Sequence, residues 1–167
     1  MMASAIVIDS LEFARTGQEL QGSVGVAQLA RLADNLFDAG GDLKYRVLGG
    51  CDAQHRPRLK LWVEGEINLK CQRCLGSLPY PVAVEASLLV LTGGNSAGTV
   101  EIEDLDGIPA DAHTDVRALV EDEVLLVIPF AARHPEGLCS IAFKANDDHT
   151  ASPFAGLEKL KQNRIQN

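Results

Sequence analysis

Four residues in two short segments have the side chains and the spacing of a metal-binding site. Cys71 and Cys74 form a C-x2-C pair, in which two thiolates can reach one ion while backbone amides of the turn point at the sulfurs. A complete zinc site needs two further ligands, for which His134 and Cys139 are the candidates, with Cys51 in reserve. The spacing therefore suggests zinc, and the alternative is a pair of thiols in a tight hairpin.

A redox role for the C-x2-C pair is disfavoured by the residues that follow it. The reactive thiol of such a motif needs the start of a helix, which lowers its pKa. Here Gly76, Pro79 and Pro81 follow the pair and exclude a helix. The sequence also has no nucleophile motif beside any of its four histidines, and no glycine-rich phosphate or dinucleotide loop.

Three consecutive acids, Glu121, Asp122 and Glu123, suggest general acid–base chemistry or a binding surface. Neighbouring side chains on a helix project about 100° apart, so three in a row cannot converge on one substrate. A solvated or capping role is therefore favoured over catalysis.

Trp62 is expected on the polar side of its strand, between Lys60 and Glu64. An aromatic ring beside cations suits base stacking or a hot spot for a protein partner. The alternative is that a helix covers Trp62. The cations expected on the neighbouring polar faces are Lys44, Arg46 and Lys70.

The chain has 167 residues, 46% of them hydrophobic, and a formal net charge of −8. Residues 100–123 hold nine acids and one base, so the remaining residues balance. This charge does not favour binding driven by phosphate contacts alone, although it leaves room for a local basic face. No long apolar run and no secretory signal is visible, so we expect a cytoplasmic protein with reduced thiols.

The hydrophobic patterns predict an α+β fold, with a central antiparallel β-sheet or small barrel and flanking helices. Residues 1–167 are expected to form one domain, with a flexible connection near 92–99 and a C-terminal tail at 150–167. The clearest strand runs from 59 to 70, with Gly65 on its inward face at a bulge or close backbone approach. The other predicted elements are strands at 18–24, 42–48 and 80–91, and helices at 26–38 and 115–128.

Taken in order, several motifs resemble those of the bacterial YceD family, the large ribosomal RNA subunit accumulation proteins. The first is C-Q-R-C-L at 71–75, and the most specific is L-V-E-D-E-V-L-L-V-I-P at 119–129. His134 and Cys139 follow, and P-F-A-G-L-E-K-L-K at 153–161 ends the series. The resemblance covers nearly the whole chain.

The resemblance implies a non-enzymatic accessory factor in ribosome biogenesis that supports synthesis, processing or accumulation of large-subunit (23S) ribosomal RNA. The implied partners are the large-subunit precursor, its RNA, and a ribosomal protein or assembly factor, with no membrane and no small-molecule substrate. The candidate binding residues are Trp62, Arg73, Glu121, Asp122, Glu123, Phe154, Lys159 and Lys161.

On the sequence alone, a protein partner is preferred over RNA, with RNA contact as an adjunct. The C-terminal piece carries Lys159, Lys161 and Arg164 against Glu158, and so few phosphate contacts would not hold RNA alone at physiological salt. The alternative function is a small zinc-binding interaction module, or a zinc-dependent enzyme, that uses the Cys71 and Cys74 knuckle. An enzyme would need an open coordination position and a nearby base.

Overall fold

A computed structural model of the chain describes residues 6–92 and 107–139. These residues form two α-helices, two short 3-10 helices and seven strands. The strands are β1 (Val7–Ile8), β2 (Glu19–Gly25), β3 (Asp42–Cys51), β4 (Pro57–Lys70), β5 (Ser77–Leu91), β6 (Gly107–Pro109) and β7 (Thr114–Asp115). The helices are α1 (Ser10–Thr16) and α2 (Val116–Val127), and the 3-10 turns are Val26–Gln28 and Ala30–Leu32. Within the described ranges, no helix is long and apolar enough to cross a membrane.

The main sheet has the strand order β2-β3-β4-β5-β6, and β1 pairs with β7 in a separate two-stranded sheet. The predicted α+β fold with a central sheet is confirmed. Strands β2 to β5 form an antiparallel meander, as expected, while the short β6 runs parallel to β5. In the part of the chain that the structure describes, this sheet is open, with β2 and β6 at its edges.

The alternating pattern of β4 is confirmed by its burial. The inward positions are at most 1% exposed, and they are Leu59, Leu61, Val63, Ile67 and Leu69. Gly65 marks the expected close approach, because a Cβ there would lie 2.9 Å from the carbonyl oxygen of Asp42 and 2.7 Å from Leu43 Cδ2. A side chain at this position would force β3 and β4 apart.

The prediction of one helix over 26–38 is wrong. The segment forms two 3-10 turns separated by Leu29, whose ψ of 80° interrupts the helical path. Its end pairs with β4 instead, since Phe37 N–H donates to the Asn68 carbonyl and Lys70 N–H donates to the Asn35 carbonyl. Backbone pairing with the sheet therefore outweighs the local helical pattern, which still places Leu29, Leu32 and Leu36 in the core.

The helix predicted at 115–128 is confirmed as α2, with Asp115 as its N-cap residue accepting from Arg117 N–H. The buried side of α2 includes Val116, Val120 and Val124, which contribute to the hydrophobic core. Helix α1 was not foreseen from the sequence. It starts at the Asp9 cap and ends at Gly17, whose φ of 65° terminates the helix.

Strands β3, β4 and β5 are each longer than the sequence suggested, with β5 beginning at Ser77 and not near residue 80. Strand β3 continues to Cys51 and β4 begins at Pro57, so their connection is shorter than expected. Most of the connection near 92–99 and the whole tail at 150–167 lie outside the described residues. The single-domain assignment stays a prediction.

Helix α1 lies directly on Gly49 of β3. A Cβ at Gly49 would lie 2.1 Å from the Phe13 carbonyl oxygen, whereas a Cβ at Gly50 would have no atom within 4 Å. We expect Gly49→Ala to lower the free energy of unfolding by about 1–3 kcal/mol or more, because backbone must move to admit the methyl group. Gly50→Ala is the matched control and should change it by less than about 0.5 kcal/mol. Chemical denaturation measures both, and equal stabilities of the two variants would contradict this packing.

Candidate metal centre

The knuckle loop, residues 71–76, is the tight turn that joins β4 to β5. Cys71 N–H donates to the Gly76 carbonyl at 3.0 Å, and Leu75 N–H donates to the Cys71 carbonyl at 2.8 Å. Leu75 has a φ of 58°, a left-handed conformation that costs a non-glycine residue about 1–2 kcal/mol. The sequence directs attention to Gly76 as the turn residue, but the structure places the unusual backbone at Leu75.

The segment that follows α2, residues 128–139, returns to this loop. Gln72 N–H donates to the Ala132 carbonyl at 2.8 Å, which ties the two segments together through their main chains. His134 Nε2 lies 2.9 Å from the Ser77 carbonyl, which can only accept, so Nε2 carries the proton. The unprotonated Nδ1 is therefore left facing the cysteines, as in many metal sites.

The four residues predicted as ligands come together. The Sγ atoms of Cys71, Cys74 and Cys139 and a ring nitrogen of His134 all lie within 4.8 Å of one another. Cys71 is buried and the other three are half-buried. Cys51, the reserve candidate, is exposed at the end of β3 and is not part of the group.

The distances fit one tetrahedral ion. Zinc–sulfur bonds of about 2.3 Å and tetrahedral angles put two ligand sulfurs about 3.8 Å apart, and Cys71 Sγ and Cys139 Sγ are 3.9 Å apart. His134 Nδ1 lies 3.3 Å from Cys74 Sγ and 3.8 Å from Cys139 Sγ. The group could therefore hold a metal ion through four protein donors, which is the closed arrangement of structural sites.

The surroundings of the four candidate ligands favour the thiolate form of Cys71. Burial by itself raises the pKa of Cys71, but hydrogen bonds to its sulfur outweigh burial and lower the pKa to about 5. The backbone donors are the N–H groups of Cys74, His134 and Arg73. The pKa of Cys139 is raised, first by burial and then by the neighbouring thiols. A bound cation would relieve this conflict, because it stabilises the thiolate form of every cysteine ligand.

The other candidate residues fall on three surfaces. Arg73 is exposed in the knuckle loop, and Asp122 is exposed on α2, whereas Glu121 and Glu123 are buried. Trp62 is half-buried on the outward face of the sheet, where the Arg46 guanidinium lies 5.3 Å from its ring centre. The remaining candidates, Phe154, Lys159 and Lys161, lie outside the described residues.

The acids on α2 hold Arg31, an interaction that sequence reasoning missed. Glu121 accepts the Arg31 backbone N–H at 2.6 Å and the Nε–H at 2.8 Å, and Asp122 accepts from Nη1. These hydrogen bonds, first from Glu121 and then from Asp122, raise the pKa of Arg31. No local signal marks the Arg31–Glu121 pair, because its members are 90 positions apart in the sequence. A helix over 26–38 would also have paired the Arg31 backbone N–H within the helix.

The four candidate metal ligands and the V-E-D-E segment, residues 120–123, both fall within a range that matches a known family. The family model for "Large ribosomal RNA subunit accumulation protein YceD" matches residues 59–161, which is more than half of the chain. The chain belongs to the YceD family. The matched range includes β4 from Leu59 onward, β5, α2 and all four members of the metal-ligand group.

A curated YceD relative supports the same assignment. The "Large ribosomal RNA subunit accumulation protein YceD" of Haemophilus influenzae is 26% identical over 171 residues, covering 94% of this chain and 95% of that protein. No solved structure matches this chain significantly.

We expect the two neighbouring acids of α2 to differ in their contribution to stability. Glu121→Ala removes a buried acceptor of two hydrogen bonds and should lower the free energy of unfolding by about 1–3 kcal/mol. Asp122→Ala removes one exposed ion pair and should cost less than about 1 kcal/mol. Urea denaturation of both variants checks the order, and a larger decrease for Asp122→Ala would show that Glu121 is not what stabilises this junction.

Proposed function

We propose that this chain is a non-enzymatic accessory factor of the large ribosomal subunit, which acts by binding and supports accumulation of the subunit's RNA. The family match over residues 59–161 carries this proposal, and the name of the Haemophilus influenzae relative agrees with it. Such a factor works in the cytoplasm, where its partners are the precursor of the large subunit, the ribosomal RNA, and a ribosomal protein or assembly factor. The proposal includes no membrane and no small-molecule substrate.

The metal is proposed to be zinc, and its role is structural. Three cysteines and one histidine are a common donor set for structural zinc. Together they fill a tetrahedral coordination sphere, so no position is left for the water or substrate that a zinc enzyme needs. The donor set therefore supports a rigid binding module better than a zinc-dependent enzyme.

The function is tested by deleting the gene and measuring the ratio of large-subunit to small-subunit ribosomal RNA. We expect a lower ratio, because large-subunit RNA that fails to assemble is degraded, and we expect the intact gene to restore it. The tagged protein should also sediment with large-subunit precursors and not with mature small subunits. An unchanged ratio during rapid growth, with no protein on precursor particles, would contradict the proposed function.

The zinc site is tested on protein purified without chelator. We expect about one zinc per chain by elemental analysis, and a melting temperature that falls by several degrees on chelation, because a metal bound only by the folded state stabilises it. Cys74→Ser should lose the zinc, whereas Cys51→Ser is the matched control and should keep it. Zinc retained in full by Cys74→Ser would rule out this ligand set.

A further inference from the structure

The turn that carries the metal ligands also presents a distinct surface, here called the knuckle face. It consists of Arg73 and Leu75 from the knuckle loop, and Phe130 and Arg133 from the segment after α2. The Gln72–Ala132 main-chain hydrogen bond brings the two halves together, and each arginine is the next residue after one of its partners. The backbone of the two arginines is therefore brought close although they are far apart in the sequence, and Leu75 and Phe130 lie within three residues of this contact along the chain.

Within the described residues, the charges of this face have no ionic partner. Arg73 and Arg133 are exposed, and neither forms an ion pair within residues 6–92 and 107–139. The knuckle loop holds no acid, and residues 128–139 hold one, Glu136. The face is thus locally basic on a chain whose net charge is −8.

The apolar groups of this face are unusually exposed. Phe130 is fully exposed and Leu75 is 63% exposed. Exposed apolar side chains on two segments that meet, each of which also carries an exposed arginine, indicate a binding surface. The exposed Leu75 is also the residue of this turn whose backbone is left-handed, with a φ of 58°.

We propose that the knuckle face binds an unpaired segment of RNA, with phosphates on Arg73 and Arg133 and a base stacked on Phe130. This inference rests on the proposed function, since it names the partner chemistry of a ribosomal RNA factor. A guanidinium binds phosphate oxygens in a bidentate manner. An aromatic side chain stacks on bases that are not already stacked in a duplex, and zinc knuckles are among the modules that recognise single-stranded RNA in this way.

The four candidate ligands belong to the same junction as this face. The Arg73 backbone N–H donates to the Cys71 sulfur, and Arg133 directly precedes the ligand His134. The backbone at both arginines is therefore fixed, so binding RNA orders only their side chains, which lowers the entropic cost of association.

The outward sheet face around Trp62 fits RNA less well. Glu19 pairs with Arg46 at 2.9 Å, and Glu85 and Glu64 stand opposite Trp62 and Lys44 in the strand register. Cations and acids alternate there, so phosphates would meet nearby carboxylates. That surface suits a partner that carries both signs of charge.

The test measures RNA binding by the full-length, metal-loaded protein with fluorescence anisotropy. The probe is a labelled RNA of about 12 nucleotides with alternating A and C, which cannot pair with itself, and the same strand in a duplex is the comparison. We expect Phe130→Ala to weaken single-strand binding about tenfold, since the stacking of one base on the ring is lost. Phe130→Leu should weaken binding similarly, because it also removes the ring.

The charge contribution is tested with Arg73→Gln combined with Arg133→Gln. The slope of log affinity against log salt is negative, and its magnitude should decrease by about 1.4, because each phosphate that is no longer neutralised removes about 0.7. Arg15→Gln combined with Arg58→Gln is the charge-matched control and should leave the affinity unchanged. These two arginines are also outside the ion pairs of the described residues, and Arg58 lies about 40 Å along β4 from Lys70, next to the knuckle loop.

Several results would overturn the proposal. They are wild-type affinity in the Phe130 and double-arginine variants, tighter binding of the duplex than of the single strand, or no binding by the wild-type protein at low salt. If Trp62→Ala loses RNA binding and Phe130→Ala retains it, RNA binds to the outward sheet face around Trp62. Loss of a ribosomal protein from pull-downs of the variants, with RNA affinity unchanged, would show that the knuckle face binds protein.

The same variants separate this inference from the proposed function. Suppose that deletion of the gene lowers the ribosomal RNA ratio, and that the Phe130→Ala variant restores the ratio fully and binds RNA as the wild type does. The proposed function then stands, and the assignment of RNA binding to the knuckle face is wrong. If the oligonucleotide binds as expected but deletion leaves the ratio unchanged, the RNA site stands and the proposed function is wrong.

Discussion

The junction between the knuckle loop and the segment after α2 is the constraint on which the rest of this molecule depends. It joins main chain to main chain through Gln72 and Ala132, and side chain to side chain through the three thiols and His134. Burial, and then the neighbouring thiols, raise the pKa of Cys139, whereas hydrogen bonds to its sulfur lower the pKa of Cys71. A cation bound among these donors would stabilise the thiolate form of each cysteine.

This junction also connects the sheet to α2. The long β4–β5 hairpin carries the knuckle loop at its tip, and Tyr80 on β5 donates from its hydroxyl to the Val127 carbonyl at the end of α2. On its other side, α2 holds Arg31 through Glu121, so the helix is fixed both to the sheet and to the segment that precedes β3. The surfaces proposed for binding are therefore carried on elements that hydrogen bonds connect to one another.

The V-E-D-E segment shows how one sequence motif serves two purposes. On α2, Glu121 and Glu123 are buried, whereas Asp122 between them is exposed. Glu121 accepts a backbone N–H as well as a guanidinium N–H, so its side chain replaces a missing main-chain partner at a 3-10 turn. The composition suggests that the acids of this segment are surface charge, but two of them are buried. A buried carboxylate such as that of Glu121 is stabilised by the hydrogen-bond donors that it satisfies.

The sequence by itself determined the alternating faces of β4, the helix α2 with its Asp115 cap, the α+β class and the identity of the four ligand candidates, since each follows from local periodicity or ligand chemistry. Only the tertiary structure decided that residues 26–38 do not form one helix, that Glu121 meets Arg31, and that the segment after α2 meets the knuckle loop through Gln72 and Ala132. These are interactions between segments remote in the chain, and residue patterns that describe the neighbours along a chain carry no information about which distant segment supplies the missing hydrogen-bond partner.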